Sequence, residues 1–258
     1  METARSADGT SIAFDREGDG PALVLVVGAF CDRSTSETLA AMLAPHFTVL
    51  RYDRRGRGPS GDTAPYAVER EIEDLDAVLA AAGGPAFVFG HSSGAVLALE
   101  AVIDGLPAAR LVAYEPPYIV EGTRARPARL AERVSQLLVA DERSQAAELF
   151  LLEGPESPPE VVTMMKGAPV WSRFEALAHT LPYDLAILGD QRVPVVRLAT
   201  IDVPTLVLSG AGSPRWARDA VEAVATAVPD SQHLVLEGQS HNAADDVLAP
   251  VLTSFFLG

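Results

Sequence analysis

At 258 residues with 48% hydrophobic content, the chain is long enough for one α/β domain carrying an insertion, and its formal charge of −15 argues against nucleic acid or an anionic membrane as partner. A single cysteine, Cys31, excludes an internal disulfide, and the five histidines show no ligand spacing, so no metal and no cofactor are expected. The N-terminus lacks the apolar core of a signal peptide and no apolar run approaches the ~18 residues of a membrane span, so the expectation is a cytoplasmic protein, monomer or homodimer, that meets a small-molecule substrate.

Disorder is expected nowhere except near residues 1–7, and residues 11–16 read as a short edge strand closed by the Gly18-Asp19-Gly20-Pro21 turn. The run 23–27 is apolar without alternation, as in a strand buried on both faces. A helix is expected near 35–44, a strand over 48–52, and an amphipathic helix over 67–82 with Ile72, Leu75, Val78 and Leu79 at helical spacing. The apolar run 87–89, a helix ending near 104 and the strand 111–114 follow. Strands alternating with helices imply a parallel sheet with right-handed crossovers. The alternation breaks after Glu115-Pro116-Pro117. The next clear strand, 205–209, begins about ninety residues later, where a crossover needs only a dozen or so. The expected organisation is therefore a core over 1–117 and 201–258, with a helical cap over 118–200. A helix over 215–228, a strand over 233–236 and a helix to about 256 complete the chain.

The run 87–89 passes through Gly90-His91-Ser92-Ser93-Gly94 into an alanine-rich helical pattern, the strand–turn–helix context of a nucleophile elbow. A serine in so tight a turn has a strained backbone, and the helix must pack back on the sheet at once. Positions two before and two after it cannot carry bulk, and glycines fill both. Taken alone, the pentapeptide also fits an ordinary glycine-containing turn.

Together with Tyr52-Asp53-Arg54-Arg55-Gly56-Arg57-Gly58-Pro59-Ser60 and the late Gly238-Gln239-Ser240-His241, this stretch resembles the α/β-hydrolase superfamily over essentially the whole chain. The resemblance implies a mostly parallel central sheet with helices on both faces and an inserted cap. It implies Ser92 as nucleophile and His241 as its base, since a serine hydroxyl needs a base within hydrogen-bond reach. His91 should point under the sheet as packing. In the common pattern an aspartate follows the seventh strand, but here that turn reads Gly210-Ala211-Gly212-Ser213-Pro214. A minority of the superfamily carries the acid after the sixth strand, where Glu115 stands, and the arrangement resembles that of lactonases acting on the fungal toxin zearalenone. Glu115 as a hinge residue without a triad role is the plainer alternative. The oxyanion donors implied are the amides of Ser93 and of Ala29, although the usual His-Gly pair before the latter reads Val27-Gly28. Cys31 reads as a passive thiol.

Met164, Met165, Trp171 and Phe174 would suit an adaptable apolar pocket, with Phe30, Tyr183 and Trp216 as further lining candidates, although each cap residue also fits simple burial. The arginines of 51–57 are expected to brace their loop against Asp53 and Asp62. The expected activity is cleavage of an uncharged, fairly hydrophobic ester or lactone through an acyl enzyme. A non-hydrolytic enzyme on the same scaffold (a lyase, a secondary-metabolite cyclase or a cofactor-free peroxidase) and a ligand receptor descended from a hydrolase are the alternatives.

Overall fold

The computed structural model describes residues 1–125 and 127–258. Eight strands form one sheet: β1 (Glu2–Arg5), β2 (Ser11–Glu17), β3 (Ala22–Val26), β4 (Thr48–Tyr52), β5 (Ala86–His91), β6 (Ala108–Tyr114), β7 (Thr205–Gly210) and β8 (Ser231–Leu236). Their spatial order is β1-β2-β4-β3-β5-β6-β7-β8. The β1–β2 and β2–β4 pairs are antiparallel and the rest parallel. Two expectations fail at one edge. Residues 2–5 are ordered as a strand, and they make β2 an interior strand rather than the edge. β1 is polar except for Ala4, its one buried residue, so its order comes from ladder hydrogen bonds to β2 and not from an apolar pattern.

Unbroken apolar runs on β3, β5 and β6 follow from helices on both faces. One face packs on α2 (Val68–Ala82), α3 (Ser93–Ile103) and α10 (Arg215–Ala227), with Val24, Val26 and Val88 turned toward Leu75, Val96 and Val221. The other packs on α1 (Glu37–Leu43) and α11 (Asp245–Leu257), with Leu23, Leu25 and Phe89 turned toward Leu43, Leu252 and Phe256. The helix expected from residue 35 opens as a 3₁₀ turn, Arg33–Ser36, capped by the Asp32 carboxylate.

Between β6 and β7 the chain forms α4 (Leu130–Val139), α5 (Arg143–Glu153), α6 (Pro159–Lys166), α7 (Val170–Leu177), α8 (Leu181–Leu188) and the short α9 (Val195–Leu198). Most of the apolar residues of α4, α5 and α7 close on one another, and Phe30 from the loop after β3 joins them. Ile187 and Leu198, from α8 and α9, instead reach the core beneath the sheet. Among the described residues no helix is long and apolar enough to cross a membrane.

Parallel register brings the carboxyl ends of the central strands to one edge. Val26 pairs with Gly90, Gly90 with Ala113 and Gly210 with Leu236. The loops after β3, β5, β6, β7 and β8 therefore converge, which is where open α/β sheets bind ligands.

Candidate active site

Ser92 follows β5 directly and has φ 57° and ψ −126°, a conformation that side-chain-bearing residues avoid. The surroundings over-determine it. The Ser92 carbonyl accepts from Ala95 N (2.9 Å), and its own amide donates to the Tyr114 carbonyl (2.9 Å), so the turn is pinned to both α3 and β6. A Cβ on Gly94 would stand 2.3 Å from the Val26 carbonyl oxygen, and one on Gly90 would stand 2.6 Å from Ala95 Cα. Only glycine lets helix and sheet meet this closely. Gly28 lies against Ser92 itself: a Cβ there would be 2.9 Å from Ser92 Cβ.

Glu115 follows β6 with φ 46° and is 2% exposed. Its Oε2 accepts from His241 Nδ1 at 2.7 Å. Oε1 accepts from the Gly210 amide at 2.8 Å and from the Ser213 hydroxyl at 2.5 Å. Burial pushes this carboxyl up, but the His241 hydrogen bond and charge, with those two donors, hold it below the usual glutamate range. Ser213, at the position where the common pattern has an aspartate, donates its hydroxyl to Glu115.

The His241 loop is held from beneath. Tyr114 Oη donates to the Ser240 carbonyl at 2.5 Å, and His91 Nε2 donates to the His241 carbonyl at 2.8 Å. Gly210 lets the loop cross at close range, since a Cβ there would meet the Gln239 oxygen at 2.5 Å. His91 thus does more than the packing expected of it. Burial, then the neighbouring His241, push its imidazole down to about 4, so it is neutral and its Nε2 proton serves the carbonyl. The His241 side chain is 41% exposed. The Ser92 side chain makes no capping hydrogen bond to the start of α3.

The arginine-rich loop is braced differently from the expectation. Arg54 forms a fork on Glu71 (2.7 and 2.8 Å), and Arg55 one on Asp74 (2.9 and 2.8 Å) with a further bond to Asp8. Arg57 pairs with Asp184 of α8 at 2.8 Å. Asp53 instead receives Arg33, and Asp62 receives the Tyr183 hydroxyl. Three guanidinium groups buried to 1% exposure or less require carboxylate partners. Their number was readable in the sequence; the partners, on α2 and α8, were not.

The pocket candidates divide. Phe30, with φ 59°, stacks on Phe174 (centroids 4.5 Å) and meets the edge of Phe150 at 5.5 Å; Met165 packs against the same cluster. Met164 is 68% exposed on the far side of α6. Trp171 is buried in the insertion's own core, its Nε1 donating to Ser144 Oγ at 2.8 Å. Tyr183 stacks on Tyr66 at 3.9 Å and binds Asp62, so it joins the insertion to the arginine loop. Trp216 lies under the Arg124 guanidinium at 3.8 Å. Cys31 is partly buried, and burial raises its thiol above the ordinary value, as suits an unreactive thiol.

Comparison with known proteins places this geometry among relatives. The model of the alpha/beta hydrolase family matches residues 23–250. The crystal structure of an alpha/beta hydrolase from Sphaerobacter thermophilus DSM 20745 is 52% identical, with a TM-score of 0.96 over 99% of this chain and 100% of that one. The uncharacterized hydrolase YraK of Bacillus subtilis is 29% identical over 186 residues, 68% of this chain and 69% of that protein. The N-formylmaleamate deformylase of Pseudomonas putida is 37% identical over 117 residues, 44% of each chain.

Proposed function

The chain belongs to the α/β-hydrolase family, and from that premise we propose that it is a serine hydrolase cleaving a carboxylic ester or lactone of an uncharged, fairly hydrophobic small molecule. The observation that carries the reading is the 2.7 Å bond between His241 Nδ1 and a Glu115 carboxylate with three donors around it. A carboxylate on Nδ1 keeps the proton there and leaves Nε2 as the base.

His241 Nε2 takes the Ser92 proton as Oγ attacks the carbonyl carbon. The amides of Ala29 and Ser93 receive the developing oxyanion, the latter at the positive end of α3. As the intermediate collapses, His241 returns the proton to the leaving alcohol. Water then attacks the acyl-serine by the same base. Glu115 stabilises the imidazolium formed in both halves. Residues 118–200 act as the cap, and Phe30, Met165 and Phe174 belong to the apolar cluster that packs against Ala29. An apolar cluster next to the proposed Ala29 donor supports a hydrophobic substrate.

The test is the burst of p-nitrophenol from p-nitrophenyl butyrate under enzyme in excess of the detection limit. A burst of one equivalent that vanishes in Ser92→Ala is expected. A wild type as inert as Ser92→Ala would sink the esterase reading and favour a non-hydrolytic reaction on this scaffold.

A further inference from the structure

Asp184 of α8 is fully buried and reaches across to the sheet domain. Its Oδ1 accepts from Ser93 Oγ at 2.7 Å, Arg54 Nη1 at 2.7 Å and Arg57 Nη2 at 3.0 Å, and its Oδ2 accepts from Arg57 Nη2 at 2.8 Å. The same two arginines hold the loop after β3. Arg57 Nη1 donates to the carbonyls of Gly28 (2.6 Å) and Cys31 (3.0 Å), and Arg54 Nη1 to that of Val27 (3.3 Å). One carboxylate of the insertion therefore touches the residue after the nucleophile and, through Arg57, the peptide that precedes Ala29.

A trans peptide is planar, so the Gly28 carbonyl and the Ala29 N–H point in opposite directions. Fixing the carbonyl on Arg57 turns the N–H to the other side. Gly28 itself abuts Ser92, where a Cβ would lie 3.5 Å from Oγ. The guanidinium charge also polarises this peptide and strengthens its N–H as a donor. Val27 stands where a histidine side chain would otherwise stiffen the loop, and the arginine bonds supply a different brace.

We propose that Asp184 is a positioning residue of the active site: it orients Arg57, which fixes and polarises the Gly28–Ala29 peptide, and it holds Ser93 by its hydroxyl, so the insertion sets the spacing of the two oxyanion donors. This rests on the serine-hydrolase reading above. On this account α8 is a fixed strut, and any opening of the insertion takes place outside it.

Three variants test the proposal, each first shown folded by thermal unfolding. Arg57→Lys keeps a cation opposite Asp184 but removes the fork that reaches Gly28 and Cys31. Ser93→Ala keeps the amide and removes the hydroxyl link. Asp184→Asn removes the charge, and should it fail to fold, the other two carry the test. Pre-steady-state cleavage of p-nitrophenyl butyrate gives the acylation rate and KM, and hydrogen–deuterium exchange reports on residues 27–31. Arg57→Lys is expected to slow acylation about ten- to a hundredfold with KM within about twofold, and to speed exchange in the loop. Ser93→Ala is expected to slow acylation about threefold to tenfold in the same way. Wild-type rates and wild-type exchange in folded Arg57→Lys would overturn the proposal and leave the Ser92 chemistry standing. If the wild type shows no Ser92-dependent burst, it is the hydrolase reading that fails, and unchanged loop exchange in the variants would then overturn the clamp as well.

Discussion

Replacing Glu115 by glutamine changes almost no volume, yet three donors converge on its carboxylate: His241 Nδ1 on one oxygen, the Gly210 amide and Ser213 hydroxyl on the other. A carboxylate accepts from all three, whereas an amide has one oxygen and one NH₂. If the amide oxygen keeps Gly210 and Ser213, the NH₂ faces His241 and forces its proton onto Nε2, where it can no longer receive the Ser92 proton. In serine proteases the equivalent change costs about 10⁴ in kcat, or roughly 5 kcal/mol. We expect a fall in kcat of about 10³–10⁴ for Glu115→Gln on p-nitrophenyl butyrate at pH 7.5, with KM within about threefold. Glu115→Asp draws the carboxylate back by about 1.5 Å, stretching the 2.7 Å bond beyond hydrogen-bond range, and should fall between the two. Steady-state kinetics on variants with wild-type melting curves decide the matter. A folded Glu115→Gln with kcat within threefold of wild type would refute the reasoning.

Three further outcomes follow from the same contacts. Half-buried His91 has a folded-state value of about 4 against an unfolded value near 6.5, so the unfolded chain binds the extra proton first: its contribution is complete above about pH 6.5 and is lost as pH falls toward 4. Between pH 7 and pH 5 this amounts to about 2 kcal/mol, readable from urea melts, and His91→Gln should flatten that part of the profile; an equally steep slope in the variant contradicts it. Ser213→Ala removes a charge-assisted bond to the Glu115 carboxylate and should lower kcat about three- to tenfold with a small drop in melting temperature, and no change in either would show Ser213 to be a bystander. Gly94→Ala places a Cβ 2.3 Å from the Val26 carbonyl oxygen, which is backbone and cannot yield, so a loss of about 3 kcal/mol or more in chemical denaturation is expected; soluble protein of wild-type stability would be incompatible with the elbow described.

The sheet was legible because parallel strands covered on both faces are written as continuous apolar runs: 23–27, 87–89 and 111–114 each lie within or overlap an observed strand. β1 was not, because Glu2, Thr3 and Arg5 are exposed and Ala4 is the one side chain it commits to the core. The Glu115–His241 bond was foreseeable because Ser213 left the usual acid position empty of charge and Glu115 stood at a strand end before two prolines. The insertion was hard to read for a physical reason. Short helices packed on one another bury apolar side chains in a core of their own, and nothing in the spacing of Met164, Trp171 or Tyr183 distinguishes that core, solvent and the site. Asp184 went unseen for a related reason: its partners Arg54 and Arg57 are far from it in sequence and meet it only because α8 lies over α3.

Ser92 is the proposed nucleophile. The most direct test is labelling with a fluorophosphonate, followed by intact mass and peptide mapping, alongside turnover of p-nitrophenyl butyrate. One adduct is expected, on Ser92, with loss of turnover in proportion to labelling, and neither labelling nor turnover in Ser92→Ala. Turnover that persists in Ser92→Ala, or in wild-type protein fully labelled at Ser92, would contradict it.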